Sequence, residues 1–463
     1  MCASIDLDLR VRPLRATVID APLPSRLDRL FAPVDLASLA VFRIAFGLIM
    51  FWEVLRYFRY GWIDRYWIDP VVNFGYPDFE WVRAWPGVGM HLHFVVLGLL
   101  ALCIAAGFLY RIATPLFALG FTYIFLLDQT RYLNHFYLII LLSFLLCIVP
   151  AHKMWSLDAR RHPELRADTT PAWTLWLLRA QVAVVYFFGG LAKLNGDWLR
   201  GEPIRMWLAD RTEFPVIGRF FTEESTVYLF SYGALFNDLL APALLLFGPT
   251  RVLMFGAVTL FHLLNYRLFT IGIFPWLMIA ASLLFLPPEW PRRLFRRGGA
   301  SRFAARGTGV PAHGRWIAAG LALYLALQVL IPLRHLVYPG NESWTEEGHR
   351  FAWHMKLRDK STEARFFATD SNSDQTWELD PEDFAQDWQV GHIVDRPHML
   401  VQLARHMRDV LRNQGYGHLE IRAEVMTSLN GRAPQLLVNP RVNLAGVRSG
   451  VPPAPWIVPL RDG

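Results

Sequence analysis

Lysine is scarce in this chain. Of 46 cationic side chains only Lys153, Lys193, Lys356 and Lys360 are lysines, and arginine does nearly all the rest. The three cysteines form no disulfide framework, since Cys2 is terminal while Cys103 and Cys147 sit inside apolar runs. The N-terminal stretch, through Arg10, Arg12 and Arg15, is polar and lacks the apolar core of a signal peptide. Nucleotide-binding glycine signatures, a P-loop, a nucleophile elbow and a His-Glu-x-x-His pattern are all missing. No compact set of metal ligands occurs, so no metal is expected. Internal repeats are absent, and the only biased segment is the Gly/Arg-rich linker Arg296–Gly309. These absences argue against a secreted disulfide scaffold, a nucleotide-driven machine and a zinc hydrolase.

What the chain has is apolar length. Over 463 residues, 54% are hydrophobic and the mean hydropathy is +0.26, which is too apolar for an ordinary soluble chain. Runs near the ~17–25 residues that cross a bilayer read at Leu36–Trp52, His91–Leu109, Ile112–Leu127, Phe136–Pro150, Trp173–Leu194, Val227–Phe247, Val252–Phe269, Ile271–Leu286 and Trp316–Leu333. The third, fourth and eighth are short. The net charge of +7 comes mostly from arginines clustered between these runs, which suits membrane orientation better than nucleic-acid binding.

Three such clusters are Arg10–Arg29, Lys153–Arg166 and Arg292–Arg306, each separated from the next by four runs. An even count lets all three share the cytoplasmic face. The ninth run then carries everything after Pro332 to the outer face, together with the loops 56–90 and 195–226. Arginine-rich, lysine-poor composition suits a bacterial inner membrane.

The period changes from about Tyr338. Phe351–Lys356, Thr376–Leu379, His418–Val425 and Gln435–Val438 read as strands, and Met399–Leu411 reads as a helix with Leu400, Leu403, Met407 and Leu411 on one stripe. The expected fold is a mainly α polytopic membrane domain of about nine transmembrane helices, followed by a small β-rich α+β extramembrane domain. The boundaries fall at 1–34 for a cytoplasmic segment, 35–336 for the membrane domain and 337–463 for the outer one.

Lys193 ends the apolar run that contains Gly189-Gly190. A lysine at the edge of a span is costly, and unlike arginine it can give up its charge when desolvated and act as a base. The alternative is a snorkelling lysine at the interface, paired with Asp197 at i+4. A second group, Asp128, Thr130, Asn134 and His135, opens the fourth run; Asn134 and His135 could donate hydrogen bonds to a developing negative charge, or Asn134 could simply cap the helix. In the seventh run His262 and Asn265 are three residues apart, hence on one helix face, with Arg267 close by. A haem held by His135 and His262 lacks the second histidine pair that a two-haem bundle would want.

These three motifs, in this order, resemble the vitamin K-dependent γ-carboxylase family, whose membrane part is the horizontally transferred transmembrane domain. The matching stretches are Gly190-Leu191-Ala192-Lys193-Leu194-Asn195-Gly196-Asp197-Trp198, Leu133-Asn134-His135-Phe136-Tyr137-Leu138 and Phe261-His262-Leu263-Leu264-Asn265, the last continuing through Leu268–Pro275. Trp344-Thr345, Phe351–Met355 and Asn439–Asn443 extend the resemblance into the outer region, so that it runs from about Asp35 to about Leu444.

The resemblance implies a lyase that couples epoxidation of vitamin K hydroquinone, or a related menaquinol, by O2 to carboxylation of peptide glutamate with CO2. It makes Lys193 the base that acts on the hydroquinone and has His135, with Asn134, support the anionic intermediate or the carboxylation. His262 and Asn265 become pocket residues. Expected partners are a glutamate-containing peptide or protein at the outer face, membrane lipids and a reductase that supplies the quinol. Nucleic acid is not among them.

Animal carboxylases carry a lysine doublet where this chain has Ala192-Lys193 and extend further after the Asn-Pro-Arg-Val stretch, which leaves room for quinol epoxidation without carboxylation. A non-catalytic membrane protein that binds a lipid or partner, and a transporter using the His262–Arg267 region, are the readings from other classes. Transport would want inverted repeats, and none is visible.

Overall fold

The computed structural model describes residues 25–295, 310–448 and 454–461. Cys2, the linker 296–309 and the arginines Arg10, Arg12, Arg15, Arg296, Arg297, Arg302 and Arg306 used in the orientation argument lie outside those residues.

Every expected apolar run is helical: α1 (Ala37–Arg59), α2 (Gly89–Ala106), α3 (Tyr110–Leu127), α4 (Asn134–Ile148), α5 (Ala172–Leu191), α6 (Glu224–Leu246), α7 (Arg251–Leu268), α8 (Phe274–Ser282) and α9 (Gly314–Leu333). Among the described residues six of these, α1, α2, α3, α5, α6 and α9, are long and apolar enough to cross a membrane. The expectation of nine crossings therefore goes further than helix length and composition carry. At 1.5 Å per residue, the fifteen residues of α4 span only about 22 Å of a ~30 Å hydrocarbon core. Helix α8 is shorter still, with one 3₁₀ turn, Leu283–Phe285, continuing it. Helix α7 has the length, but Thr259, His262, Asn265 and Arg267 dilute its hydropathy.

Helix α1 packs against α2 and α8, and α5 against α6, α8 and α9. Charge inside this bundle is satisfied locally: Arg43, buried in α1, donates to the carbonyls of Ile104 at 2.7 Å and Trp155 at 2.7 Å, using carbonyls that helix ends leave open. A short ribbon of β1 (Pro33–Asp35) and β2 (Thr169–Pro171) ties the chain entering α1 to the chain entering α5.

The C-terminal region holds a four-stranded antiparallel sheet of order β4-β3-β5-β6, formed by β3 (Lys360–Asp370), β4 (Thr376–Leu379), β5 (Leu419–Leu429) and β6 (Gln435–Leu436). Strands β3 and β5 pair over their whole length, from Lys360↔Leu429 to Asp370↔Leu419. Helix α10 (Asp387–Ile393) and the amphipathic α11 (Pro397–Asn413) complete it, with Leu400, Leu403, Ala404, Met407 and Leu411 of α11 buried in its core. Helix and sheet share this region more evenly than the expected strand-dominated pattern.

Two further expectations fail here. Phe351–Lys356 is a series of turns, with positive φ at Phe351, Trp353 and Lys356. Its apolar residues plug the helical bundle instead of a sheet, since Phe351 and Trp353 pack on Tyr137 of α4 with ring centroids 4.9 and 5.1 Å away. Arg56, placed in a loop by the sequence reading, belongs to the last turn of α1.

Candidate active site

The last turn of helix α5 carries the glycine pair, and the need for glycine there is spatial. A Cβ on Gly190 would stand 2.5 Å from the backbone nitrogen of Leu239, and one on Gly189 would stand 3.0 Å from the Met355 side chain. Small residues let helix backbones touch inside a membrane. Here the contact brings α6 against the last turn of α5 and puts Asp238 opposite Lys193.

Lys193 is 4% exposed and Asp238 5%. The lysine Nζ donates to Asp238 Oδ2 at 2.7 Å and to the carbonyl of Gly189 at 2.9 Å. It also lies 5.4 Å from the ring centroid of Trp198, whose Nε1 is fixed by the Ser231 carbonyl at 2.9 Å. Lys193 therefore does not snorkel and does not pair with Asp197. Asp197 turns the other way, to Arg200 and to Asn430 and Arg432 of the C-terminal region.

His262 is 2% exposed on α7. Its Nε2 meets the Tyr186 hydroxyl at 2.8 Å, and that hydroxyl also meets Ser282 Oγ at 3.0 Å. Its Nδ1 is buried with no protein partner. Phe274, at the start of α8, stands between the two histidines, with ring centroids 5.9 Å from His262 and 5.9 Å from His135. The loop leading into α8 passes close to His135. A Cβ on Gly272, whose φ of +60° suits glycine, would lie 3.4 Å from Arg56 Nη1 and 3.9 Å from His135 Nε2. Arg56 is itself paired with Glu53 at 2.6 Å.

Asn134 does not cap its helix. Leu133 holds the cap position, and no side chain bonds there. The amide is committed elsewhere: Nδ2 donates to the His354 carbonyl at 2.9 Å, and Oδ1 accepts from the Tyr132 hydroxyl at 2.9 Å. That hydroxyl also receives the Phe351 N–H at 2.6 Å. The asparagine thus fastens the C-terminal plug to the mouth of α4.

One cavity of about 1250 Å³ collects these groups. Lys193, Asn134, His135, His262 and Asn265 all line it, together with Asp238, Tyr186, Trp198 and Phe274. Arg267 is exposed and lies off its wall. The C-terminal region supplies a cationic wall of Arg350, Lys356, Arg358, Lys360 and Arg396, with His349 and His354 beside them and Glu346 and Asp395 opposed. Burial pushes the Glu346 carboxyl up, but Arg358 and Lys360 outweigh it and hold the group below its ordinary range. Burial, followed by the nearby His335 and Arg358, drives His354 down to about 3. The cavity combines aromatic and aliphatic walls with a few placed polar groups, which suits an apolar ring compound carrying polar substituents.

The sequence reading missed Asp238, although it is the only acid within the expected run Val227–Phe247. An intramembrane carboxylate asks for a cation, and Lys193 was the available one. The cationic wall carried no comparable local signal, since its members gather only through the fold of the plug.

Residues 31–290 match the family model of the HTTM domain, and residues 313–463 match that of the vitamin K-dependent gamma-carboxylase lumenal domain. No solved structure matches the chain.

Proposed function

We propose that this chain, which belongs to the vitamin K-dependent γ-carboxylase family, is a membrane enzyme that couples oxidation of vitamin K hydroquinone, or a related menaquinol, by O2 to carboxylation of peptide glutamate with CO2. The observation carrying this reading is that Lys193, buried beside Trp198 and bonded to Asp238, shares one cavity with Asn134-His135 and His262-Asn265.

The cavity suits the quinol. Drug-sized ligands occupy roughly 300–1,000 Å³, so about 1250 Å³ accommodates a bicyclic ring with part of its tail and a substrate side chain beside it. The unsatisfied His262 Nδ1 faces the need for one more polar partner, which a ring oxygen supplies. Phe274 and Trp198 offer flat faces for an aromatic ring. When bound, the quinol supplies the reducing power and, after oxidation, the strong base that activates the glutamate.

The chain's own residues bind, orient and move protons. Lys193 accepts the hydroquinone proton at Nζ, in a pocket that excludes water. His135 and Arg56 present N–H groups where negative charge gathers. His262, anchored by Tyr186, orients the ring together with Asn265. Asn134 contributes chiefly by holding the plug in place. The cationic wall receives the glutamate carboxylate from the outer side.

The nine helices α1–α9 belong to the membrane domain, 35–336, with the short α4 and α8 tilted or partly inserted. The N-terminus is cytoplasmic, and the region 337–463 is extracytoplasmic in a bacterial inner membrane. A glutamate-bearing peptide reaches the cavity from that side, and a quinone reductase replenishes the quinol within the bilayer.

The test is purified protein with reduced vitamin K, O2, labelled bicarbonate and a glutamate peptide. Epoxide and fixed label are expected together, and both should fall below one hundredth of wild type in Lys193→Met. Epoxide without label would restrict the activity to epoxidation. Neither product from the folded wild-type chain would overturn the reading.

A further inference from the structure

We propose that Asp238 is the counter-carboxylate that sets the basicity of Lys193, acting as a positioning residue for proton abstraction. This rests on the reading of Lys193 as the base, and it adds a partner that the sequence motif does not contain.

The geometry supports it from several sides. Asp238 Oδ2 accepts from Lys193 Nζ at 2.7 Å, and Asp238 Oδ1 accepts from Asn237 Nδ2 at 3.2 Å. The carboxylate is thus held at both oxygens and oriented toward the amine. Gly189 and Gly190 remove the side chains that would separate α5 from α6, so the pair is built into the helix crossing. Both residues line the cavity, where a substrate proton can reach them.

The groups around the dyad come from four elements. Helix α6 contributes Asp238 and Asn237, α5 the Tyr186 hydroxyl, which lies in the field of Asp238, the short helix Gly196–Leu199 the Trp198 ring, 5.4 Å from Nζ, and the plug Met355, with His354, Lys356 and Arg358 farther along the same cavity. Among the described residues, Asp238 is the acid that bonds the amine.

Charge balance explains what the carboxylate does. Proton abstraction requires a neutral amine, and the dyad in that form carries one negative charge. The quinol O–H bond then breaks, its proton bonds to the lone pair of Nζ, and the electron pair remains on oxygen. The dyad becomes the neutral ammonium–carboxylate pair, and the negative charge now sits on the ring. One buried negative charge is present before and after. Without Asp238 the same step would create two opposite charges in a low-dielectric pocket, at far greater cost. The arrangement parallels the carboxylate that stabilises the imidazolium in a serine-protease triad.

The sign of the effect follows. A carboxylate beside an amine favours its protonated form, so removing it frees the lone pair at lower pH while leaving a weaker base. Asp238→Asn should move the rising limb of the pH–rate profile for epoxide formation to lower pH by roughly one to three units. The plateau should fall by roughly ten- to a thousandfold. Asp238→Glu, which keeps the charge, should leave the limb near its wild-type position.

A second measurement does not depend on turnover. Four lysines make site-resolved labelling practical. Fluorodinitrobenzene modification of Lys193, followed by peptide mass spectrometry across pH with Lys153 as the internal reference, reads the free amine directly. The midpoint for Lys193 should drop by the same one to three units in Asp238→Asn and stay put in Asp238→Glu. Melting temperatures in detergent identify any variant that fails to fold, in which case Asp238→Ser replaces Asn. An unmoved labelling midpoint in a folded charge-removing variant overturns the proposal, even if epoxide is still formed. A moved midpoint sustains the dyad, even if the wild-type chain forms no epoxide and the carboxylase reading falls.

Discussion

Arg432 grips Asp197 with both ends of its guanidinium, Nη1 on Oδ2 at 2.7 Å and Nη2 on Oδ1 at 2.6 Å. Asn430 adds a third bond to Oδ2 at 2.9 Å. The β5–β6 turn thereby holds the short helix Gly196–Leu199, four residues beyond the amine of Lys193. A bidentate pair at the junction of two regions fixes orientation as well as distance.

Arg432→Ala should therefore loosen the C-terminal region from the bundle, lowering stability by roughly 1–3 kcal/mol, because a mostly buried carboxylate loses its partner. Burial pushes Asp197 up, but the bonds from Arg432 and Asn430 outweigh it and hold the group below 3.8. A carboxyl lowered on folding adds stability above its unfolded value and forfeits it as pH falls through the folded one. The clamp should hold at neutral pH and weaken only below about pH 3.8. Limited proteolysis at the junction, in detergent, reads both effects, and an Arg432→Ala variant as resistant as wild type would refute the clamp.

Gly190→Ala tests the helix crossing. The added methyl would meet Leu239 backbone at 2.5 Å, so α5 and α6 must separate. Overpacking of this kind costs typically 1–3 kcal/mol. The lysine–carboxylate contact at 2.7 Å should lengthen with it. Epoxide formation should fall at least tenfold, as expected for a reacting group displaced by about 1 Å. Retention of both melting temperature and rate would show that the glycine pair is incidental.

Tyr132→Phe should separate structure from chemistry at the Asn-His motif. The hydroxyl accepts from Phe351 N and donates to Asn134 Oδ1. Its loss leaves buried polar groups unpaired, at about 1–3 kcal/mol. Asn134→Ala should cost a similar amount through its bond to the His354 carbonyl. If Asn134 acts mainly as a fastener, the two variants will lower melting temperature and activity in parallel. Loss of activity in Asn134→Ala at unchanged stability would make the asparagine a direct participant.

The sequence exposed the helices because a bilayer imposes one strong constraint, a long apolar run, and each of the nine expected runs is helical. It exposed Lys193, His135 and His262 because ionisable groups in such runs stand out. Run lengths reach beyond what helix length and composition support where polar residues dilute a continuous helix, as in α7, or where a helix is short, as in α4. The central strand β3 went unrecognised because its inward face carries Lys360, Thr362 and the small Ala364 and Ala368, which leaves little apolar signal beyond Phe366. Phe351–Lys356 alternates like a strand, yet its apolar side chains serve the bundle and its φ values turn positive. Partners at long sequence separation, such as Asp238 for Lys193 and Arg432 for Asp197, depend on which helices and turns meet, and no local pattern encodes that.

The histidines of the plug give a pH test outside the membrane helices. His354 Nδ1 stands 3.2 Å from His349 Nδ1, so one ring donates and the other accepts, and both rings are neutral in this arrangement. Burial drives His354 to about 3 from an ordinary 6.5, and His349 also lies well below 6.5. A histidine lowered on folding is protonated more readily in the unfolded chain. Its contribution is complete above pH 6.5 and declines as pH falls toward about 3. Between pH 6.5 and pH 5 the loss for His354 alone is roughly 1–2 kcal/mol. Melting temperature should therefore drop across that interval and drop less in His354→Gln, which keeps the backbone carbonyl that Asn134 binds. A variant with the same slope as wild type would mean that the ring is charged, or wet, in the folded protein. The Lys193 labelling midpoint should not follow that substitution, because the amine bonds Asp238 and the Gly189 carbonyl rather than the His354 ring.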